Sequence, residues 1–152
     1  MKFFSPKLLV EMNSKNIDIA DRAEHAWRRC LSKYQRYLKQ HEETLPRELL
    51  NLDLHDSILV SLDIQKNISI HLKLISQGYN VSILYSEIHE FSINNLNANM
   101  HQDGRLCLID IYVDELHVID EHVFCHEILF DSGYSLRLIC KRVFVNKERI
   151  AQ

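Results

Sequence analysis

Histidines and carboxylates crowd two short stretches of this chain, and both could do chemistry. The first is Asp53-Leu54-His55-Asp56, where an imidazole stands between two acids. The second runs from Asp114 to Asp131, DELHVIDEHVFCHEILFD, with six acids, three histidines and no lysine or arginine. An imidazole oriented by a carboxylate is a general base. Several such groups around one point can hold a zinc ion.

Spacing argues against both readings. Neighbouring residues of a strand point to opposite faces, so His55 and Asp56 are not expected to serve each other. Asp53 and His55 share a face but form only a dyad, with no nucleophile in the motif. The expected role of His55 and Asp56 is therefore structural. Asp56 or Ser57 binds nearby backbone N–H groups where the chain enters a sheet, and His55 inserts beneath a helix with one ring nitrogen bonded. In the second stretch, His122 and His126 fall on one face of a strand but roughly 13 Å apart, too far for one zinc. His126 shares its face with Phe124, Ile128 and Phe130 and reads as a core histidine. His89 and Glu90 take the same discount, and Cys125 and His126 face apart. No G-x-S-x-G elbow, phosphate-binding loop, dinucleotide fingerprint or H-E-x-x-H is present. No metal or cofactor is expected.

The elements that must position these groups follow from periodicity. Ser5-Pro6 reads as a helix cap and first turn, opening a helix over Pro6–Met12. Asp18 is expected to cap a long helix whose apolar stripe is Ala20, Ala23, Trp27, Cys30, Leu31, Tyr34 and Leu38. Arg22, Arg29, Lys33 and Arg36 line another face, which reads as a solvated surface. Leu45-Pro46 is expected to end this helix. From Ser57 onward the pattern alternates with period two. Strands are expected over 57–65, 68–74, 79–85, 88–93, 106–113, 116–119, 123–130 and 134–144. Turns are expected at QKN, SQG and DSG, and a polar loop at 94–104. The fold class is α+β: N-terminal helices (1–52) on a curled, mainly antiparallel sheet or small barrel of about seven strands (53–152), in one domain. The Trp27 stripe is expected to seal an open face or edge of that sheet.

Composition narrows the function. The chain has 152 residues and a net charge of −3, which disfavours a nucleic-acid binder. No apolar run approaches a membrane span. None of the four cysteines forms a C-x-x-C pair, and Cys107, Cys125 and Cys140 fall in apolar strand patterns, as in a cytoplasmic protein.

The opening MKFFSPKLL, then AEHAW…YQRYLKQHEETLP, LDLHDSIL and the closing ILFDSGYSLRLICKRVFV, resemble a family of uncharacterised bacterial proteins. That family has a Phe-Phe-Ser/Thr-Pro-x-Leu start, a Trp-bearing helix and a Leu-His-Asp-Ala/Ser motif before a β-rich half. The motif is also similar to one in β-domains among bacterial toxin-immunity proteins. The resemblance implies the same fold class and a lean towards immunity-type function. The expected function is thus a non-enzymatic protein-binding domain masking a basic partner such as a toxin. Its expected partner surface is Asp114, Glu115, His117, Asp120, Glu121 and His122, whose charge would steer encounter. The alternative is a metal-dependent hydrolase using His55, His89, His117 or His126. A third reading is self-association into a homo-oligomer through exposed sheet edges.

Overall fold

The computed structural model describes residues 1–65, 69–95 and 110–150. Ile68, Cys107, residues 96–104 of the loop expected at 94–104, the start of the strand expected at 106–113 and most of the QKN turn lie outside these residues, while Asn94 and Asn95 of that expected loop pair in a strand with Ser135 and Tyr134.

Three helices come first: α1 (Pro6–Met12), α2 (Ile17–Gln40) and α3 (Arg47–Leu50). Ser5 caps α1, its Oγ accepting from the Leu8 N–H at 3.2 Å. The cap of α2 is Asn16 rather than Asp18, because the Asn16 side-chain oxygen reaches the N–H groups of both Asp18 and Ile19. α2 also ends before Leu45-Pro46, with His41 at its C-cap. Pro46 instead precedes α3, and Leu45 is buried.

Six strands follow: β1 (Ile58–Gln65), β2 (Ser69–Ser76), β3 (Tyr79–Asn95), β4 (Ile111–Asp120), β5 (Val123–Phe130) and β6 (Tyr134–Arg149). They form one antiparallel sheet in the order β1-β2-β3-β6-β5-β4. Among the described residues the strand count is six, not the expected seven or so. The strands expected at 79–85 and 88–93 are one, because Glu87 at φ 54° and the adjoining register shift absorb the irregularity without a turn. The described end of the strand expected at 106–113 likewise joins the one expected at 116–119 as β4. The SQG turn is as expected, with Gln77 and Gly78 both at positive φ between the paired Ser76 and Tyr79. That is the two-residue hairpin geometry matching strand twist.

The sheet curls but does not close. Among the described residues, its edge strands β1 and β4 meet at their beginnings, where Ile58 bridges Asp110. The Leu54-His55-Asp56-Ser57 segment makes that contact. The Asp56 N–H donates to the Ile111 carbonyl at 3.0 Å, and the Ile111 N–H donates to the Ser57 carbonyl at 2.8 Å. Inside the curl lies one apolar cluster, including Leu72, Ile83, Ile128, Leu136 and Leu138, with Leu45, Leu49 and Leu54 joining from the helical side.

Helix α2 lies along β4. The N–H groups of Leu116 and Val118 donate to the hydroxyls of Tyr34 and Tyr37, at 2.6 and 2.8 Å. Two tyrosines therefore occupy donors that an edge strand would otherwise leave open. Trp27 is half-buried and packs on Phe4 and Tyr112, with ring centroids 4.4 and 5.2 Å apart. The arginine and lysine row of α2 is exposed.

Candidate functional site

The β4–β5 ladder sets Glu115 directly opposite Glu127, and His117 directly opposite Cys125. The β5–β6 ladder then sets Glu127 opposite Arg137. Alternation puts these side chains on the face away from the apolar cluster. Like charges facing each other across a ladder repel, so the two glutamates need compensation.

Backbone and charge both supply it. Glu115 is fully buried. Its Oε1 accepts the N–H groups of Phe3 and Phe4 at 3.1 and 2.5 Å, and its Oε2 accepts that of Lys2 at 2.8 Å. The opening MKFF segment is thus held on the sheet by one carboxylate. Glu127 Oε1 lies 3.0 Å from the Met1 nitrogen and 3.7 Å from Arg137 Nε. The Arg137 guanidinium also contacts Glu90.

Between the two carboxylates stands His117. Its Nε2 is 2.8 Å from Glu115 Oε2 and 3.4 Å from Glu127 Oε2. These are ion-pair distances, but neither contact has hydrogen-bond geometry, and both ring nitrogens are buried. Phe3 stacks on the imidazole, with centroids 6.0 Å apart. Burial works against the imidazolium, yet the two carboxylates outweigh it and raise the His117 pKa above its ordinary value. Burial alone would raise Glu127, but His117 and the Met1 nitrogen hold it at about 2. An open cleft of about 350 Å³ borders the group, lined by Met1, Lys2, His117, Cys125, Glu127 and Arg137 among others.

A second polar chain crosses the core side. His126 is fully buried, with Nδ1 2.6 Å from the Tyr85 hydroxyl and Nε2 3.0 Å from Asp114 Oδ2. Tyr85 is also fully buried, so this chain satisfies an interior histidine, as expected of His126, and offers nothing to a substrate.

The six residues expected to meet a partner do not share one surface. Asp114 is committed to His126, and Glu115 and His117 are buried beneath the N-terminal segment. Asp120, Glu121 and His122 are exposed at the β4–β5 turn, next to Ile119. The charge of the 114–131 stretch is divided because alternate residues of β4 face opposite sides.

The Leu54-His55-Asp56-Ser57 motif departs from expectation in detail. His55 does not insert beneath a helix. It is exposed, with Nδ1 3.0 Å from Asp56 Oδ2, and leans on Tyr112. The two side chains do meet, because Asp56 adopts φ 59° and the motif is a turn, not a strand. The backbone N–H of His55 is held by Asp53 Oδ1 rather than by Asp56 or Ser57, while the Ser57 hydroxyl is buried without a hydrogen-bond partner. His89 is exposed on β3. Of His55, His89, His117 and His126, only His117 stands in a group of three or more potential metal ligands among the described residues. The Glu115–His117–Glu127 group escaped sequence reasoning because its members come from two strands. Only the register of β4 on β5 reveals it.

Fold and site together define an α+β protein with an open, curled, six-stranded antiparallel sheet and a buried acid–histidine group under its N-terminal segment. No protein-family profile matches the chain, and no curated protein matches it. Among solved structures, it is similar to an uncharacterized protein from Neisseria gonorrhoeae. That likeness has a TM-score of 0.49 and 16% identity, over 62% of this chain and 93% of the other. Among the described residues, no helix is long and apolar enough to cross a membrane.

Proposed function

We propose that the protein is a non-enzymatic protein-binding domain whose docking surface is the β4–β5 turn and the cleft beside it. One observation carries the reading: Asp120, Glu121 and His122 are all exposed at the turn, and His122 shares a cleft with an exposed aromatic residue. Phe144 is 57% exposed. It lines a cleft with His122, Phe124, Pro46, Glu48, Lys141 and Arg142, so the cleft itself carries both signs of charge and the acids at the turn set the preference. An aromatic anchor ringed by charge is the usual composition of a binding hot spot. The acids suit a basic partner, and the resemblance to toxin-immunity β-domains makes a toxin the specific candidate.

The test is a Phe144→Ser variant and an Asp120→Asn/Glu121→Gln variant, compared with wild type for capture of a basic partner at low and high salt. The reading expects Phe144→Ser to lose the complex. It expects the neutralised variant to associate more slowly and with a weaker salt dependence, because exposed charges act over roughly 8–10 Å. Equal capture by all three proteins at low salt refutes this surface.

A further inference from the structure

We infer that Glu115, His117 and Glu127 form a binding site for one divalent transition-metal ion of the zinc type, pinning β4 to β5 beneath the N-terminal segment. The reading is independent of the proposed docking surface, which lies at the hairpin turn.

The carboxylates divide their work. Each spends Oε1 on the protein: Glu115 on the Phe3 and Phe4 amides, Glu127 on the Met1 nitrogen and Arg137. Each turns Oε2 towards His117 Nε2. Glu115 Oε2 also accepts the Lys2 amide and, more weakly, that of Phe3. The Phe3 amide is shared with the nearer Oε1, so the second lone pair of Oε2 carries only the longer branch of that bond, which a cation would displace. No other contact to Glu127 Oε2 is seen among the described residues.

The separations suit a shared ion. Ligand atoms about 2.0–2.2 Å from one zinc stand about 2.8–3.1 Å apart at a right angle and about 3.3–3.6 Å apart at the tetrahedral angle. The observed separations from Nε2 are 2.8 and 3.4 Å, and one ligand atom from each of the three residues lies within 4.8 Å of the others.

The independent sign is His117 itself. It is only 7% exposed, its Nε2 points between two acids, and neither ring nitrogen makes a hydrogen bond. Buried polar groups are ordinarily satisfied. A metal at Nε2 would satisfy that nitrogen and add to the compensation that the N-terminal amides and Arg137 already give the two glutamates. One imidazole and two carboxylates are a donor set for Zn²⁺, Mn²⁺ or Fe²⁺, and less so for Mg²⁺, which keeps several waters. The bordering cleft offers an entry path and room for a water as a further ligand.

The experiment uses the untagged full chain, stripped with chelator and titrated calorimetrically with Zn²⁺, with Mg²⁺ as control. Co²⁺ in place of Zn²⁺ reports coordination through its visible absorption. One Zn²⁺ per chain is expected, with a Co²⁺ spectrum. Binding should weaken about tenfold or more in His117→Gln and in Glu127→Gln, and be unchanged in His122→Gln, whose imidazole is exposed. Glu127 lies at the edge of the cleft, so Glu127→Gln decides the matter even where His117→Gln fails to fold. The inference is overturned if the wild type binds no Zn²⁺, if Glu127→Gln binds as tightly as wild type, or if His122→Gln loses as much affinity as the others.

Discussion

Tyr34→Phe removes one oxygen atom and tests how this protein protects the edge of its sheet. The hydroxyl accepts the Leu116 N–H at 2.6 Å in a buried environment. Burial and the nearby Asp114 carboxylate push the Tyr34 phenol well above its ordinary pKa, so it remains a neutral acceptor. Phenylalanine keeps the ring contacts with Phe3 and Phe4, at 5.3 and 5.7 Å, and leaves a gap too small for rearrangement to fill. The variant therefore orphans one backbone donor and changes little else. An unsatisfied buried donor costs about 1–3 kcal/mol. In a chain of this size each kcal/mol lowers Tm by about 2–4 °C, so a central loss near 2 kcal/mol predicts a fall of about 4–8 °C. Tyr37→Phe is the internal comparison. Its partner, Val118, is only partly buried, so water can replace the hydroxyl, and a loss of about 0.5–1 kcal/mol is expected. Urea and thermal unfolding measure both, and amide exchange at Leu116 should quicken in the first variant alone. If Tyr34→Phe unfolds like wild type, or Tyr37→Phe costs more, the edge-sealing account of α2 is wrong.

The remaining predictions concern the turn, the thiols and the acid limb of stability. His55→Ala and Asp56→Gly should each change unfolding free energy by no more than about 0.5 kcal/mol, because both side chains are exposed and glycine suits the positive φ at 56. A loss above about 2 kcal/mol would show a packed role for the pair. Iodoacetamide at pH 8 should leave Cys125 and Cys140 unmodified in the native protein, since burial pushes their thiols up to about 11 and about 12. Peptide mass mapping that finds rapid labelling of either would contradict their placement. In chelated protein, Glu127 should contribute stability that is present above pH 4.5 and lost as pH falls towards 2, because its folded pKa lies at about 2 against an ordinary 4.5. By linkage this is roughly 3 kcal/mol at neutral pH. A Glu127→Gln variant should flatten that acid limb, and an unchanged slope would show that Glu127 is not ion-paired.

Local physics alone determined much of this protein. Ser5-Pro6 set the start of α1, the Trp27 stripe marked α2, and period-two alternation marked the sheet, because each signal is written within one turn or one strand. SQG specified its hairpin because residues at positive φ leave few alternatives. Where elements run on without punctuation, the sequence was silent. Glu87 carries no turn signal, so the sequence could not show that β3 continues through a bulge. The meeting of the His55 and Asp56 side chains was not legible, since it depends on a positive φ that aspartate only sometimes adopts. The acid–histidine group was the least legible. Its residues are 115, 117 and 127, and its compensation comes from the amides of residues 2, 3 and 4. No window along the chain contains both. Strand register set Glu115 opposite Glu127, alternation turned Asp114 inward to His126 while its neighbour faced the other way, and packing of the first residues shut His117 from water. Those are properties of pairing and burial, and they exist only once the β4–β5 hairpin and the N-terminal segment have come together.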